Sequence, residues 1–357
     1  MKEYNQQDRV RGCLVGGAVG DALGYPVEFV SSYQTIVQIY GEQGVTRFDT
    51  NAKLYNEHKA YISDDTQMTL FTACGVLNAK MNGMAPVPAM CWAYLEWLYT
   101  QKGIRSKRMR NCWVGDLPEM NVRRGPGITC LNSLENILQG REPVNDSKGA
   151  GGLMRIAPIP LYGLSQGRIT DLHALDLMAA DASELTHLHP LGFIPSFVAA
   201  HLIYRLATDE KPTRESFLRY LEEALRDAEA EYGKYAAYVY QQRALVEKAL
   251  VLADKGNCAD HEAILQIGEG WVAEEALAIA VYCTYKYFGD FEKSVVAAVN
   301  HVGDSDTTGA VTGNLHGAAL GYEAIPEHFK TNLELHDVIV HVANDLWRGY
   351  TTRYTGK

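Results

Sequence analysis

Two short acidic runs hold the residues best suited to chemistry. The first is Ile62-Ser63-Asp64-Asp65-Thr66, ahead of the apolar stretch Met68 to Ala73. The second is Asn300-His301-Val302-Gly303-Asp304-Ser305-Asp306-Thr307-Thr308-Gly309, ahead of another. Neighbouring carboxylates repel, so placing them at the start of a helix calls for the helix dipole or a cation to offset the repulsion. Four carboxylates with adjacent hydroxyls are hard oxygen donors, suited to Mg²⁺ or Mn²⁺ rather than to zinc, which takes His and Cys. Either run alone also reads as a helix N-cap, where Ser, Asp and Thr are preferred. The two together exceed what capping requires. The second run imitates a calcium loop, with Asp304, Asp306 and Thr308 ahead of Gly309 at the sixth position. Its twelfth position is Leu315 where a bidentate Glu is needed, which excludes that reading.

Other segments carry less specific signals. Lys148-Gly149-Ala150-Gly151-Gly152-Leu153-Met154-Arg155 is either an ordinary turn or a set of backbone amides able to surround an anion. Thr186-His187-Leu188-His189-Pro190 holds either a structural histidine pair or a ligand contact. Gly163-Leu164-Ser165-Gln166-Gly167 matches a nucleophile pattern, but Pro158 and Pro160 in the preceding run deny it the central strand that pattern needs. The common phosphate-loop, dinucleotide and H-E-x-x-H patterns are absent. Glu28 and Asp116 draw no notice from their immediate neighbours.

The elements that must position these residues read as helices. Apolar positions recur at three and four from Thr213 to Lys255, as one long helix or two broken near Gly233. Asp171–Ala182, Trp271–Phe288, Phe291–Val299 and Thr307–Leu320 read the same way, with Asp290 placed to cap the third. No run demands a sheet, so the expectation is a single all-α domain over 1–357. Two stretches break helix propensity alike: Gly12, Gly16, Gly20 and Gly24 near the start, and Gly309, Gly313, Gly317 and Gly321 near the end. Each interior glycine costs about 1 kcal/mol relative to alanine. Close approach of another helix or backbone along a glycine ridge offsets that cost, which puts both ends of the chain in a tight core beside the acidic runs.

Composition narrows the class of partner. The 357 residues are 47% hydrophobic and 21% charged, an ordinary globular balance, and 43 acidic against 33 basic residues give a net charge of −10. That balance opposes nucleic-acid binding through phosphates. The seven cysteines form no C-x-x-C pair and mostly lie in apolar stretches, as buried free thiols of a reducing compartment do. The polar N-terminus lacks a signal-peptide core, and no apolar run approaches about 18 residues. A cytoplasmic location with no membrane partner is the expectation.

In order along the chain, these segments resemble the ADP-ribosylglycohydrolase family. The likeness runs through Arg11-Gly12, Gly20-Asp21-Ala22-Leu23-Gly24, Ser63 to Thr66, Arg124-Gly125-Pro126-Gly127, Gly149 to Pro158, Thr186-His187, Gly270 to Ala280 and Asn300 to Gly321. The resemblance implies an all-α domain with two Mg²⁺ or Mn²⁺ ions in a central cleft. It places metal ligands on Ser63, Asp64, Asp65, Asp304, Asp306 and Thr307, with Glu28 beside them. It implies an ADP-ribose site at Gly149, Gly151, Gly152, Met154 and Gly303, with His187 near the distal ribose or phosphates. Catalytic roles fall on Glu28, Asp65 and Asp306, and on Asp116 through the arginine-specific branch. Ala150 departs from relatives with Asn or Cys there and loses any polar contact from that side chain.

The implied activity is Mg²⁺-dependent hydrolysis of the N-glycosidic bond of ADP-ribosylated protein side chains, foremost ADP-ribosylarginine, with ADP-ribose released. Such cleavage passes through an oxocarbenium-like state. The implied partners are the modified protein and a cognate ADP-ribosyltransferase. The competing readings are a non-catalytic ADP-ribose-binding or transferase-blocking protein, and a hydrolase of O-linked ADP-ribose.

Overall fold

The computed structural model describes residues 5–49, 59–79, 81–104, 111–165 and 171–356. Among these residues lie sixteen α-helices and six short 3₁₀ turns, and the extended pairings are two isolated bridges, Ala60 with Leu333 and Gly149 with Val272. The all-α expectation holds.

The centre of the fold is a pair of antiparallel helices from opposite ends of the chain, Gln6–Gly24 and Ser305–Leu320. Their glycines face one another in register. A Cβ added at Gly20 would overlap the Gly309 carbonyl, one at Gly313 would overlap the Gly16 carbonyl, and one at Gly317 would overlap the Gly12 carbonyl. At the far end a Cβ on Gly24 would run into the Ser305 carbonyl. Backbone therefore packs on backbone, closer than the usual 8–10 Å between helix axes allows. Both helices are sealed: every residue from Gly12 to Gly24 and from Ser305 to Ala319 is buried. Asn314 sits between ridge positions and donates from Nδ2 to the Cys13 carbonyl at 2.8 Å. The glycine ridges read from spacing alone are each other's partners.

Around this pair stand Asp64–Asn78, buried along its whole length, and the helices Ala273–Lys286, Phe291–Val299 and His336–Arg348. Pro190–Thr208 is long and apolar enough to cross a membrane, yet most of its residues lie in the protein core. The stretch after Thr213 resolves into two helices, Arg214–Glu231 and Ala236–Lys255, divided by the turn Gly233–Tyr235. Thr213 and Ser216 close a capping box at the start of the first. Asp290 caps Phe291–Val299 by accepting from the Lys293 amide at 3.1 Å, as its position suggested.

Ser165 follows the short helix Pro158–Gly163 and donates its buried hydroxyl to the Tyr162 carbonyl at 2.7 Å. The nucleophile-like pattern thus has a helix, not a strand, before it; its remaining residues Gln166 and Gly167 lie outside the described residues. All seven cysteines are free, and five are buried.

The glycine register makes a direct prediction. Gly313→Ala is expected to lower stability by about 2 kcal/mol or more in urea unfolding, because the overpacking cost of about 1–3 kcal/mol and backbone displacement outweigh the helix-propensity gain. Gly233→Ala, where a Cβ meets nothing within 4 Å, serves as the control and is expected to cost little. Equal effects would contradict the ladder.

Candidate active site

One turn beyond Gly24 the chain passes through the 3₁₀ turn Tyr25–Val27 to Glu28, while across the glycine contact the partner helix begins at Ser305. The helix pair therefore delivers Glu28 to the second acidic run. Glu28, Asp304 and Asp306 are all buried, and one carboxylate oxygen from each lies within 4.8 Å of the others. The first run joins them: Ser63 lies beside Asp306 and favours its charged form, and Asp64 and Asp65 both interact electrostatically with Asp306. Thr307 lies beside Asp304 and favours its charged form, and the Thr307 amide donates to Asp306 Oδ1 at 3.0 Å. The two acidic runs, some 240 residues apart, form one cluster.

Local structure fixes each side chain. Ser63 is the N-cap of Asp64–Asn78 and accepts from the Asp65 amide at 3.2 Å. Asp21, from the opening helix, accepts from the Ser63 amide through both oxygens at 2.9 and 3.1 Å, and from the amide and hydroxyl of Thr66. It caps the first turn of a helix to which it does not belong. The Gly127 amide donates to Asp64 Oδ2 at 3.2 Å. Gly303 has φ of +125°, and a Cβ there would collide with the Glu269 carbonyl, so the turn before Asp304 requires glycine. The Asp304 amide donates to that same carbonyl at 2.9 Å.

The electrostatics are lopsided. Burial first, and then neighbouring carboxylates, push Glu28 up to about 11 and Asp21 up to about 7. Asp64, Asp65 and Asp304 are raised well above the ordinary carboxyl range for the same two reasons, and burial raises Asp306. Their neighbours in the cluster are carboxylates, hydroxyls and backbone amides. Glu28 Oε2 and Asp65 Oδ2 are buried without a hydrogen-bond partner. Unpaired buried oxygens in an all-carboxylate and hydroxyl donor set fit divalent cations of the Mg²⁺ or Mn²⁺ type, which take hard oxygen ligands and neutralise several charges at once.

The glycine loop lies alongside. Its main chain pairs with the start of Ala273–Lys286: the Ala150 amide donates to the Trp271 carbonyl at 3.1 Å, and the Ala273 amide to the Lys148 carbonyl at 2.8 Å. Met154 closes the loop against the acidic helix, with Thr69 Oγ1 at 2.8 Å from the Asp65 carbonyl and 3.4 Å from the Met154 carbonyl. His187 packs on Gly149 and Gly151, where Cβ atoms would come within 3.3 Å of its ring. Its other edge is anchored by a relay. Arg155 Nη2 donates to Thr186 Oγ1 at 2.7 Å, and that hydroxyl meets His187 Nδ1 at 2.9 Å. Burial lowers His187 to about 3, so the ring is neutral. Nε2 faces the loop glycines.

Asp116 falls elsewhere. Its carboxylate pairs with Arg353 at 2.8 Å near the C-terminus, and no described hydrogen bond, ion pair or electrostatic coupling joins it to the five clustered carboxylates. The sequence reading also passed over residues that frame the site. Asp21 stood inside the quoted glycine segment, and a carboxylate inside a glycine ridge was the available signal. Phe29 and Trp271 carried none. They stack with ring centroids 5.8 Å apart, at 72% and 39% exposure, and adjoin Glu28 and the loop-pairing segment respectively.

The chain is similar to known proteins along nearly its whole length. The ADP-ribosylglycohydrolase family model matches residues 2–356. ADP-ribosyl-[dinitrogen reductase] glycohydrolase of Rhodospirillum rubrum is 27% identical over 334 residues, covering 92% of this chain and 91% of that protein. ADP-ribosylhydrolase ARH3 of Mus musculus is 23% identical over 364 residues, covering 91% and 87%. A solved structure described as an ADP-ribosylglycohydrolase-related protein complex superposes with a TM-score of 0.64 at 23% identity, over 97% of this chain and 99% of that one. At that identity the likeness is one of fold.

The raised carboxyls fix the sign of a pH effect. In the unfolded chain they titrate near about 4, so near neutral pH the metal-free native state binds more protons than the unfolded state, and stability falls as pH rises. A cation that displaces those protons therefore binds more tightly at higher pH. Saturating Mg²⁺ is expected to raise the melting temperature more at pH 8 than at pH 7 by differential scanning calorimetry. A Mg²⁺ effect that is absent, or smaller at pH 8, would contradict the cluster's assignment.

Proposed function

Because the chain belongs to the ADP-ribosylglycohydrolase family, we propose that it hydrolyses the N-glycosidic bond of ADP-ribosylarginine in modified proteins, releasing ADP-ribose. The observation that carries this reading is the meeting of Glu28, Asp64, Asp65, Asp304 and Asp306, with oxygens of Glu28 and Asp65 buried and unpartnered. A non-catalytic module has little use for a cluster so costly to bury.

Ser63, Asp64, Asp65, Asp304, Asp306 and Thr307 are the residues we assign to hold two Mg²⁺ or Mn²⁺ ions. Bound there, the ions supply Lewis-acid polarisation of ribose hydroxyls and of a water molecule. Glu28 is the side chain we assign to orient that water and take its proton. It enters the cluster from a separate element, the turn Tyr25–Val27, and keeps one oxygen free. The amides of Gly151 and Gly152 offer donors to the diphosphate, beside Gly149, whose amide donates to Ser147 Oγ at 3.3 Å. His187 Nε2, which faces the loop, is assigned a further contact, and Met154 and Gly303 are assigned to the same substrate site.

The exposed pair Phe29 and Trp271 favours an arginine linkage. Two aromatic faces at the rim suit a planar cation, and a guanidinium stacked there gains about 1–2 kcal/mol. The partners that follow are an ADP-ribosylated protein and the transferase that modifies it. Without an arginine specificity, the same cluster serves O-linked ADP-ribose, and that reading is the alternative outcome below.

The test is release of ADP-ribose from arginine-linked and serine-linked substrates in Mg²⁺, with and without chelator. Wild type is expected to act on the arginine linkage and to lose activity in chelator. Asp306→Asn is expected to lose about 10²–10⁴-fold in kcat, on the scale of losing a positioned catalytic group. Trp271→Ala is expected to raise KM for the arginine-linked substrate about tenfold. Release from serine-linked substrate alone moves the assignment to O-glycosidic bonds. Binding of ADP-ribose without release from either contradicts hydrolysis.

A further inference from the structure

Asp64 is held from two sides by one residue that lies outside the acidic runs. Arg124 accepts from the Asp64 amide through its own carbonyl at 2.9 Å. Its side chain turns back to the residue before Ser63: Nη1 donates to the Ile62 carbonyl at 3.3 Å. Glu334 completes the arrangement. Its Oε1 accepts from Arg124 Nη2 at 3.0 Å, and its Oε2 accepts from the Ile62 amide at 3.2 Å and from Arg124 Nη1 at 3.4 Å. Both side chains are buried, and the guanidinium lies 4.4 Å over the Tyr61 ring.

The main chain repeats the pattern. The Ala60 amide donates to the Asn332 carbonyl at 2.8 Å, and the Glu334 amide to the Ala60 carbonyl at 2.9 Å. Beyond Arg124, Gly125 takes φ of +74° and faces Glu28 Oε2 and Asp64 Oδ1, where a Cβ would stand at 3.5 and 3.8 Å. The Gly127 amide then meets Asp64 Oδ2. Residues 60–64, 124–127 and 332–334 therefore form one unit around the first acidic run. Leu335, the described non-glycine residue with positive φ at 56°, follows directly, and such a conformation persists where the surroundings over-determine it.

We propose that Arg124 and Glu334 are positioning residues that set the divalent-cation affinity of the cluster by fixing the direction of Asp64. The proposal rests on the cation-binding reading given above. A buried ion pair adds little to stability beyond what apolar packing would give, whereas the guanidinium fork fixes orientation through several directed bonds at once. Glu334→Gln keeps the shape but sets an amide N–H against the donors of Arg124 or Ile62, so the fork loses its match. Arg124→Lys keeps the charge and loses the fork.

The probe is Mn²⁺, titrated into metal-free protein and followed by the electron paramagnetic resonance of the free ion. Glu334→Gln is expected to weaken Mn²⁺ binding about 10- to 100-fold, the usual effect of losing a partner that orients a ligand. Arg124→Lys is expected to weaken it less, and the double variant little more than Glu334→Gln alone, because the two act as a unit. Val246→Ala, in the distant helix Ala236–Lys255, destabilises the metal-free protein without touching this unit, and is expected to bind Mn²⁺ as wild type does. Wild-type affinity in Glu334→Gln and Arg124→Lys, or an equal loss in Val246→Ala at matched melting temperature, overturns the positioning role. Absence of Mn²⁺ binding in wild type overturns instead the cation site on which it depends.

Discussion

Backbone contact between the first helix and the Ser305 helix sets the position of everything else in the site. The contacts step by four on both sides, pairing Gly12 with Gly317, Gly16 with Gly313, Gly20 with Gly309 and Gly24 with the Ser305 carbonyl. A slip of one residue would rotate each ridge by about 100° and drive Cys13, Val15, Val19 or Ala310 into the other backbone. The register is thus fixed by sterics. At its end lies the chemistry, with Glu28 one turn beyond Gly24 and Asp304 and Asp306 flanking Ser305. Each interior glycine costs helix stability, and that cost is offset by a rigid junction that brings residues nearly 280 positions apart to within a few ångströms.

The same junction creates an electrostatic problem. The chain carries a net charge of −10, and its centre gathers six carboxyls, counting Asp21, all raised by burial. Asp21 is answered by amides and hydroxyls of Ser63 and Thr66, so it is a structural acceptor. Glu28 and Asp65 are left with unpartnered oxygens. In the function proposed above, divalent ions would reconcile these facts by neutralising the cluster and reversing the local field that would otherwise repel a diphosphate. Cation binding and folding are then coupled, because the ions bind a cluster that exists in the native state alone.

Much of this was legible in the sequence. The glycine spacing, the two acidic runs, the loop from Gly149 to Met154 and Glu28 through family resemblance all meet in the structure. Those signals are local and periodic, and steric or chemical rules bind them tightly. The unread parts depend on partners distant in sequence. Glu334 sits in Thr331-Asn332-Leu333-Glu334, a run with no pattern, and its role appears when Arg124 lies beside it. Phe29 and Trp271 are single aromatics made significant by the stack they form. Asp116 pairs with Arg353, a partner its neighbours in sequence do not announce.

Anomalous diffraction from crystals grown with Mn²⁺ tests the central claim most directly. The account predicts peaks among the oxygens of Asp64, Asp65, Asp304 and Asp306, beside Glu28, with the glycine-paired helices in the register described. Crystals that bind Mn²⁺ elsewhere, or that leave these carboxylates without density between them at saturating Mn²⁺, would contradict it.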